Sequence, residues 1–142
     1  MLSRGTSPGI GKHSMHWTGD NFSSWEDLRT HIVHLLNVHL FGINQNGADI
    51  CGFTGPAGEE LCKRWHQVGV FNTFARNHNY QGMPEQHPSS DRWSEASKGV
   101  IRKALHTRYE LLPLLYSTMW EVRSGIADPN NPVPYRKTRP KV

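Results

Sequence analysis

The feature that most restricts the fold of this chain is the alternation of short apolar segments with amphipathic helical segments. Apolar residues at helical spacing predict one helix over roughly 24–38 and a second that begins near Glu59. The segments at 41–53 and 70–75 are short and apolar, which is typical of buried strands. Strands that alternate with helices of this length indicate parallel βαβ units, so we expect an α/β fold.

Local signals set the expected ends of the helices. Ser23 and Glu26 have the spacing of a capping box, and Gly69 is expected to end the second helix. A long third helix is expected from Trp93, with a kink or a division at Pro113. We expect the helices to bury the apolar residues of their periodic faces: Leu28, Ile32, Leu35 and Leu36 in the first, Leu61, Trp65 and Val68 in the second, and Ile101, Leu105, Tyr109 and Leu112 in the third.

Composition excludes several classes of protein. The chain has 142 residues, which allows one domain at most, and a formal net charge of +4. Four of its sixteen cations lie in the last seven residues, within a proline-rich segment at 125–142 that we expect to be disordered. Without them the charge is near zero, so no nucleic-acid partner is expected. No stretch approaches the roughly 18 apolar residues of a membrane span.

The beginning of the chain gives little information about its location. Residues 1–15 are rich in Gly, Ser and Pro and are expected to form an exposed loop. The first thirty residues contain no apolar segment behind a basic start, so no signal peptide is expected. The location of this chain is therefore not predicted.

Polar residues follow each of the expected strands. They are Asp20–Asn21, Asp49 and Arg76–His78. In parallel α/β folds, ligands bind at the loops that follow the carboxyl ends of the strands. Because three polar clusters occupy equivalent positions, we expect them to line one site.

The residues alone leave two interpretations open for each candidate. Asp20, or Asn21 beside it, fits the cap of the first helix, but Asp20 also fits a general acid whose pKa is raised in a partly buried apolar pocket. Asp49 is either a hydrogen-bonded structural residue or a group that faces a ligand. Trp17 could supply an aromatic platform for a sugar ring, and His78 is either a donor to a polar ligand or an ordinary loop residue.

The histidines and cysteines do not have the spacing of a familiar metal site. His31, His34 and His39 lie on or beside the first helix without the glutamate pattern of a zincin. Cys51 and Cys62 are too few for a zinc ribbon, and they fit either a disulfide or two buried thiols. We therefore expect no metal and no cofactor.

A series of short motifs runs along the chain from about Leu2 to about Val122. The motifs are Arg4, His16–Asn21, Leu40–Ile43, Gly47–Phe53, Glu60–Cys62, Arg64–Trp65, Arg76–Asn79, Arg108–Tyr109 and Leu111–Pro113. In this order they resemble glycoside hydrolase family 31, the α-glucosidase family. The resemblance implies an α/β fold that is part of a (β/α)₈ TIM barrel, from the end of strand 5 through strand 8 with the following helices, in a domain over 1–124.

The same resemblance implies a retaining α-glucosidase that hydrolyses terminal α-glucosidic bonds of an α-glucoside or oligosaccharide. It places Asp20 at the general acid/base position. It also implies a disulfide between Cys51 and Cys62, and hence an oxidising secretory, lysosomal or extracellular compartment for the parent enzymes. The residues it implies at the glucose subsite are Arg4, Asp49 and His78, which would bind hydroxyls, and Trp17 and Phe53, which would pack on the ring.

The second carboxyl group of the reaction is expected upstream of this sequence. A retaining glycosidase needs a nucleophile about 5–5.5 Å from the acid/base group, and the family's nucleophile lies before the matched segment. A whole barrel needs about 250 residues, so we expect the isolated chain to be inactive. The alternatives are a truncated or decayed barrel fragment without catalysis, associating with another chain through its open strand edges, and an independent carbohydrate-binding module.

Overall fold

The computed structural model describes residues 1–123, so the expected disordered segment at 125–142 lies outside the described residues. A short 3₁₀ turn spans Ile10–Lys12. The strands and helices, in chain order, are β1 (Leu2–Ser3), β2 (Met15–Trp17), α1 (Trp25–Leu40), β3 (Asn46–Gly47), β4 (Asp49–Ile50), α2 (Glu59–Gly69), β5 (Arg76–Asn77) and α3 (Glu95–Arg123).

All strand pairs in the described chain are parallel, as expected for an α/β fold. Strand β2 lies between β1 and β3, with His16 opposite Asn46, and β4 pairs with β5, with Asp49 opposite Arg76. Only Ala48 separates β3 from β4. The segments β2–α1–β3 and β4–α2–β5 are therefore two consecutive βαβ units. The expectation of a loop over residues 1–15 is wrong in part, because β1 pairs with the start of β2.

Helix α1 begins one residue later than the capping box predicts. Ser24 is the N-cap, and its side chain accepts a 3.0 Å hydrogen bond from the Asp27 backbone. The Asp27 carboxylate then accepts a 2.6 Å bond from the Phe22 backbone. The pair that satisfies the first turn is thus Ser24 with Asp27, rather than Ser23 with Glu26.

The buried face of α1 also differs from the predicted one. Ile32 and Leu36 are 45% and 48% exposed, whereas His31 is buried. His31 is buried because its Nε2 lies 3.0 Å from Asn72 Oδ1 and its ring stacks on Trp65. A polar residue thus occupies a core position that the apolar pattern assigned to its neighbours.

Helix α2 has the predicted bounds, but the strand predicted at 70–75 is wrong. Val70 is the C-cap of α2, and Phe71 is exposed. The Thr73 hydroxyl donates to the Asn44 carbonyl at 2.7 Å and accepts from the Asn46 backbone at 2.8 Å. Because a side chain makes these bonds, the backbone forms a turn, and strand pairing starts only at β5.

Helix α3 runs from Glu95 to Arg123 through Pro113, so of the predicted kink or division the division is wrong. A proline removes one backbone hydrogen bond, and a helix of this length continues past that loss. Ile101 is buried as predicted, but Tyr109 is 72% exposed. The Arg108 guanidinium joins α3 to the end of α2 by donating to the carbonyls of Gly69, Val70 and Asn72.

The core lies between the strands and all three helices. Its buried members come from each βαβ unit and from the start of α3, and they are Leu28, Ala48, Ile50, Cys51, Ala57, Leu61, Cys62, Trp65, Trp93 and Ile101. This packing fixes the strands, so the loops that follow their carboxyl ends are held at one side of the fold.

Candidate active site

The loop after β2 places Asp20 at the surface. Gly19 before it has φ +88°, and a Cβ there would lie 2.8 Å from Arg4 Cζ. Glycine therefore lets the Arg4 side chain pack against this loop. Asp20 itself is exposed, and within residues 1–123 its carboxylate has no hydrogen-bond or ion-pair partner. Among residues 1–123 Asp20 is therefore not in the partly buried setting that one of its two interpretations required, and neither Asp20 nor Asn21 caps α1, because Ser24 is the N-cap.

Asn21 ties this loop to the loop after β4. Its side-chain Nδ2 donates to the Asp49 carbonyl at 3.1 Å. Its backbone carbonyl accepts from Phe53 at 2.8 Å and from Thr54 at 2.9 Å. The residue that follows the proposed acid/base group is thus bonded to both ends of the 49–53 segment. The sequence predicted Asn21 as a helix cap or as a member of the polar cluster after the first strand, and gave no sign of its bonds to the 49–53 segment.

Asp49 is a buried carboxylate whose two oxygens differ in their hydrogen bonding. Its side chain has 0% exposure, and its Oδ1 accepts from Arg76 Nε at 2.9 Å and Arg76 Nη2 at 2.8 Å. Burial raises the pKa of Asp49, and the hydrogen bonds and charge of Arg76, a hydrogen bond from Trp17 and the charge of His78 act in the opposite direction. Its Oδ2 is buried and has no partner of normal hydrogen-bond geometry among the described residues. Such an atom is costly unless a ligand satisfies it.

Aromatic rings surround this carboxylate and its partner. The Arg76 guanidinium carbon lies 5.2 Å from the centre of the Trp17 ring. Beyond the ends of β4 and β5, the centres of the Phe53 and His78 rings are 5.3 Å apart, and the Tyr80 ring contacts Phe53 edge-on at 5.8 Å. The structure therefore joins Trp17 to Asp49 through Arg76, and Phe53 to His78 directly.

The loop after β4 owes its shape to two residues with positive φ. Cys51 has φ 78° and Gly52 has φ 91°. Cys51 is bonded to Cys62 of α2, so the disulfide that the resemblance implied is present. Buried Gln86 donates to the Ile50 and Gly52 carbonyls at 3.3 and 2.9 Å. Gln86 was not predicted, because an isolated glutamine in a polar loop carries no spacing signal.

Taken together, parallel strands with polar and aromatic residues beyond their carboxyl ends define a β/α-barrel type of site. Residues 1–118 match the family model described as the "Glycosyl hydrolases family 31 TIM-barrel domain". The chain belongs to glycoside hydrolase family 31.

Named relatives agree with this assignment. The chain is 45% identical over 121 residues to the alpha-glucosidase of Mucor javanicus, which is 85% of this chain and 14% of the relative. It is 47% identical over 117 residues to the lysosomal alpha-glucosidase of Bos taurus, a match that covers 82% of this chain and 12% of the relative. It is 44% identical over 121 residues to human intestinal sucrase-isomaltase, a match that covers 85% of this chain and 7% of the relative. The chain thus spans at most 14% of the length of these relatives.

Solved structures show the same fold. The glucosidase II alpha subunit superposes with a TM-score of 0.77 at 34% identity, over 82% of this chain and 12% of that one. A family 31 alpha-glucosidase from Bacteroides thetaiotaomicron has a TM-score of 0.73 at 31% identity, over 84% and 21%. No helix within residues 1–123 is both long and apolar enough to cross a bilayer.

Proposed function

We propose that this chain supplies the acid/base group and much of the glucose subsite of a retaining α-glucosidase. The observation that carries the proposal is the buried Asp49 Oδ2, which has no partner of normal hydrogen-bond geometry among the described residues, on a carboxylate that also interacts with Trp17. In this proposal residues 1–124 form the end of strand 5 through strand 8 of the barrel. The disulfide agrees with an oxidising compartment, and the relatives include enzymes named lysosomal and intestinal.

Asp20 is proposed as the general acid/base. Its exposed carboxyl is accessible to a leaving-group oxygen, and in the first step it would give that oxygen a proton. A second carboxylate from another segment would attack the anomeric carbon and form the glycosyl-enzyme. Asp20 would then take a proton from the water that releases the sugar. Asn21 would position Asp20 through its bonds to the 49–53 segment.

The sugar would be held by hydrogen bonds on one side and rings on the other. Asp49 Oδ2 would accept from a hydroxyl, which gives the buried oxygen the partner it lacks. Arg4 and His78 are proposed to bind further hydroxyls. Trp17 and Phe53 would pack against the apolar face of the ring.

The test replaces the equivalent segment of the Mucor javanicus enzyme with residues 1–118 of this chain and measures hydrolysis of an α-glucoside. Asp20→Asn is expected to lower kcat by about 10²–10⁴-fold. Asp91→Asn changes an exposed aspartate outside the cluster and serves as the matched control, with activity within about twofold of the parent chimera. Full activity of the Asp20→Asn chimera would refute the assignment.

A second measurement separates the acid/base role from the nucleophile role. Azide added to the Asp20→Asn chimera, with an activated aryl α-glucoside, is expected to restore turnover by attacking the glycosyl-enzyme. The product would be the glucosyl azide with retained configuration, because two displacements occur. A glucosyl azide with inverted configuration would identify Asp20 as the nucleophile instead.

A further inference from the structure

Three side chains able to bind a soft metal ion meet at a position that the proposed glycosidase reaction does not use. Cys51, Cys62 and His66 are all buried, and their ligand atoms lie within 4.8 Å of one another. Cys62 and His66 are four residues apart on α2, so they lie on one helix face. Cys51 reaches them from the loop after β4.

The distances to the histidine fit those between ligands of one zinc ion. His66 Nδ1 lies 3.7 Å from Cys51 Sγ and 3.8 Å from Cys62 Sγ. Tetrahedral Zn²⁺ with ordinary bond lengths separates a sulfur from a nitrogen ligand by about 3.6 Å and two sulfurs by about 3.8 Å. The imidazole nitrogen is therefore already in place, and only the two sulfurs must separate.

The surroundings also suit a thiolate-bound ion. Asn77 Nδ2 lies 3.6 Å from Cys51 Sγ, where it donates toward the sulfur, and it is anchored by a 2.8 Å bond to the Gln86 carbonyl. Such outer donors stabilise metal-bound thiolates. His66 and Asn77 also line a cavity of about 380 Å³ between α2 and α3, so the histidine side of the cluster borders an open space.

We propose that reduction of the Cys51–Cys62 disulfide converts this cluster into a Zn²⁺ site with two thiolates, the His66 imidazole and a water as ligands. A dithiol reagent gives two electrons and two protons to the Cys51–Cys62 disulfide. The reagent becomes a disulfide, and Cys51 and Cys62 become thiols. Zinc binding then releases those two protons to solvent. His66 Nδ1 gives up its 2.8 Å hydrogen bond to the Cys62 carbonyl, and its proton is exchanged through solvent for one on Nε2, so the neutral ring binds zinc through Nδ1.

The consequence is that a metal crosslink replaces the covalent one. The disulfide joins the 49–53 loop to α2, and a shared ion joins the same two elements. Under reducing conditions the site would therefore keep Asp49 and Phe53 in place. Spacing along the sequence did not predict this site, because Cys51 comes from a different element than Cys62 and His66.

The experiment reduces the full 142-residue chain with dithiothreitol, removes the reagent without oxygen, and titrates the chain with Co²⁺ as the probe. A thiol assay confirms two free thiols per chain. We expect one Co²⁺ per reduced chain, with thiolate-to-cobalt charge-transfer absorption and the intense visible bands of a tetrahedral ion, and displacement by Zn²⁺. The oxidised chain is expected to show none of these. Absence of the bands in the reduced chain overturns the proposal.

Two variants test the histidine. His66→Gln is expected to weaken Co²⁺ binding at least about tenfold. His31→Gln removes an equally buried histidine that bonds Asn72 instead of the cysteines, and it is expected to bind as the parent does. Equal affinity in His66→Gln and the parent would overturn the assignment of the third ligand.

Near-ultraviolet circular dichroism separates binding by the folded site from binding by loose thiols. If reduction removes the aromatic signal, Co²⁺ or Zn²⁺ is expected to restore it, because the ion recreates the crosslink. Metal binding without recovery of that signal would also overturn the proposal.

Discussion

Replacing Arg76 by methionine tests whether the buried Asp49 carboxylate depends on its one charged partner. Arg76 donates two hydrogen bonds to Asp49 Oδ1, and the Asp49 side chain has no exposed surface. Methionine keeps the length of an apolar stem but supplies no charge and no donor. The variant would therefore contain a buried carboxylate without a counter-ion.

The expected loss of unfolding free energy follows from the exposure of the two partners. Removing one member of a fully buried pair costs about 3–5 kcal/mol. The Arg76 side chain is 34% exposed, so solvent already screens part of its interaction and the expected loss is about 2–3 kcal/mol. Arg64→Met is the matched control, because Arg64 and Glu60 form an i,i+4 pair in which both side chains are about half exposed. That change is expected to cost less than about 1 kcal/mol.

The pH dependence of the stability loss in Arg76→Met is a second, independent test. Burial raises the pKa of Asp49 in the folded chain, and loss of Arg76 raises that pKa further. A carboxyl with a raised folded pKa binds its proton more tightly when folded, so stability falls as pH rises from about 4 through the folded pKa. The Arg76→Met penalty is therefore expected to be larger at pH 7 than at pH 4.

Urea unfolding at both pH values, followed by tryptophan fluorescence, measures these quantities. Adding Asp49→Asn to Arg76→Met removes the stranded charge and is expected to recover more than half of the loss at pH 7. A penalty below about 0.5 kcal/mol at pH 7, or one that is equal at both pH values, would refute the account of Asp49 as a charge stabilised by Arg76.

Three further changes test the local structure by the same unfolding assay. Gly52→Ala is expected to cost about 2–3 kcal/mol, since its Cβ would meet the Ser23 backbone at 2.5 Å, whereas Gly82→Ala, with similar φ and open space, is expected to cost about 1 kcal/mol. Ser24→Ala is expected to cost about 1 kcal/mol through loss of the α1 cap. Burial lowers the pKa of His34, so stability is expected to fall as pH drops below about 6.5, and less so in His34→Gln.

The sequence predicted elements well where local chemistry decided their ends. Helix α2 has its predicted bounds, because Glu59 and Gly69 mark its two ends. The segment after it was predicted as a strand from its apolar residues, but those residues form a turn, and the Thr73 hydroxyl makes the bonds that a strand backbone would make. Whether a side chain replaces the backbone in these hydrogen bonds depends on the neighbouring strand. The spacing of apolar residues within one segment carries no information about that strand.

The candidate site was predictable in its residue types and not in its contacts. Asp49 and Arg76 were expected to follow strands, but they lie in β4 and β5 themselves, and Asp49 is buried there. Its pairing with Arg76 joins two strands 27 residues apart and follows from their register, which sequence patterns do not give. The sequence left the burial of Asp20 open, and the residue is exposed among the described residues, because the covering of a loop residue depends on segments distant in sequence.

The least predictable feature is the backbone that shapes the 49–53 loop. Cys51 has a left-handed conformation that costs a non-glycine residue about 1–3 kcal/mol unless its surroundings hold it. Here its sulfur is bonded to α2, the following Gly52 fits against Ser23, and buried Gln86 binds the Gly52 carbonyl. Each of these contacts comes from a different element, so the loop forms only when the elements have packed. The Asp49 carbonyl and the Phe53 amide then both bond to Asn21. The packing therefore sets the distance between Asp49 and Phe53, the two candidate sugar-binding residues of this loop.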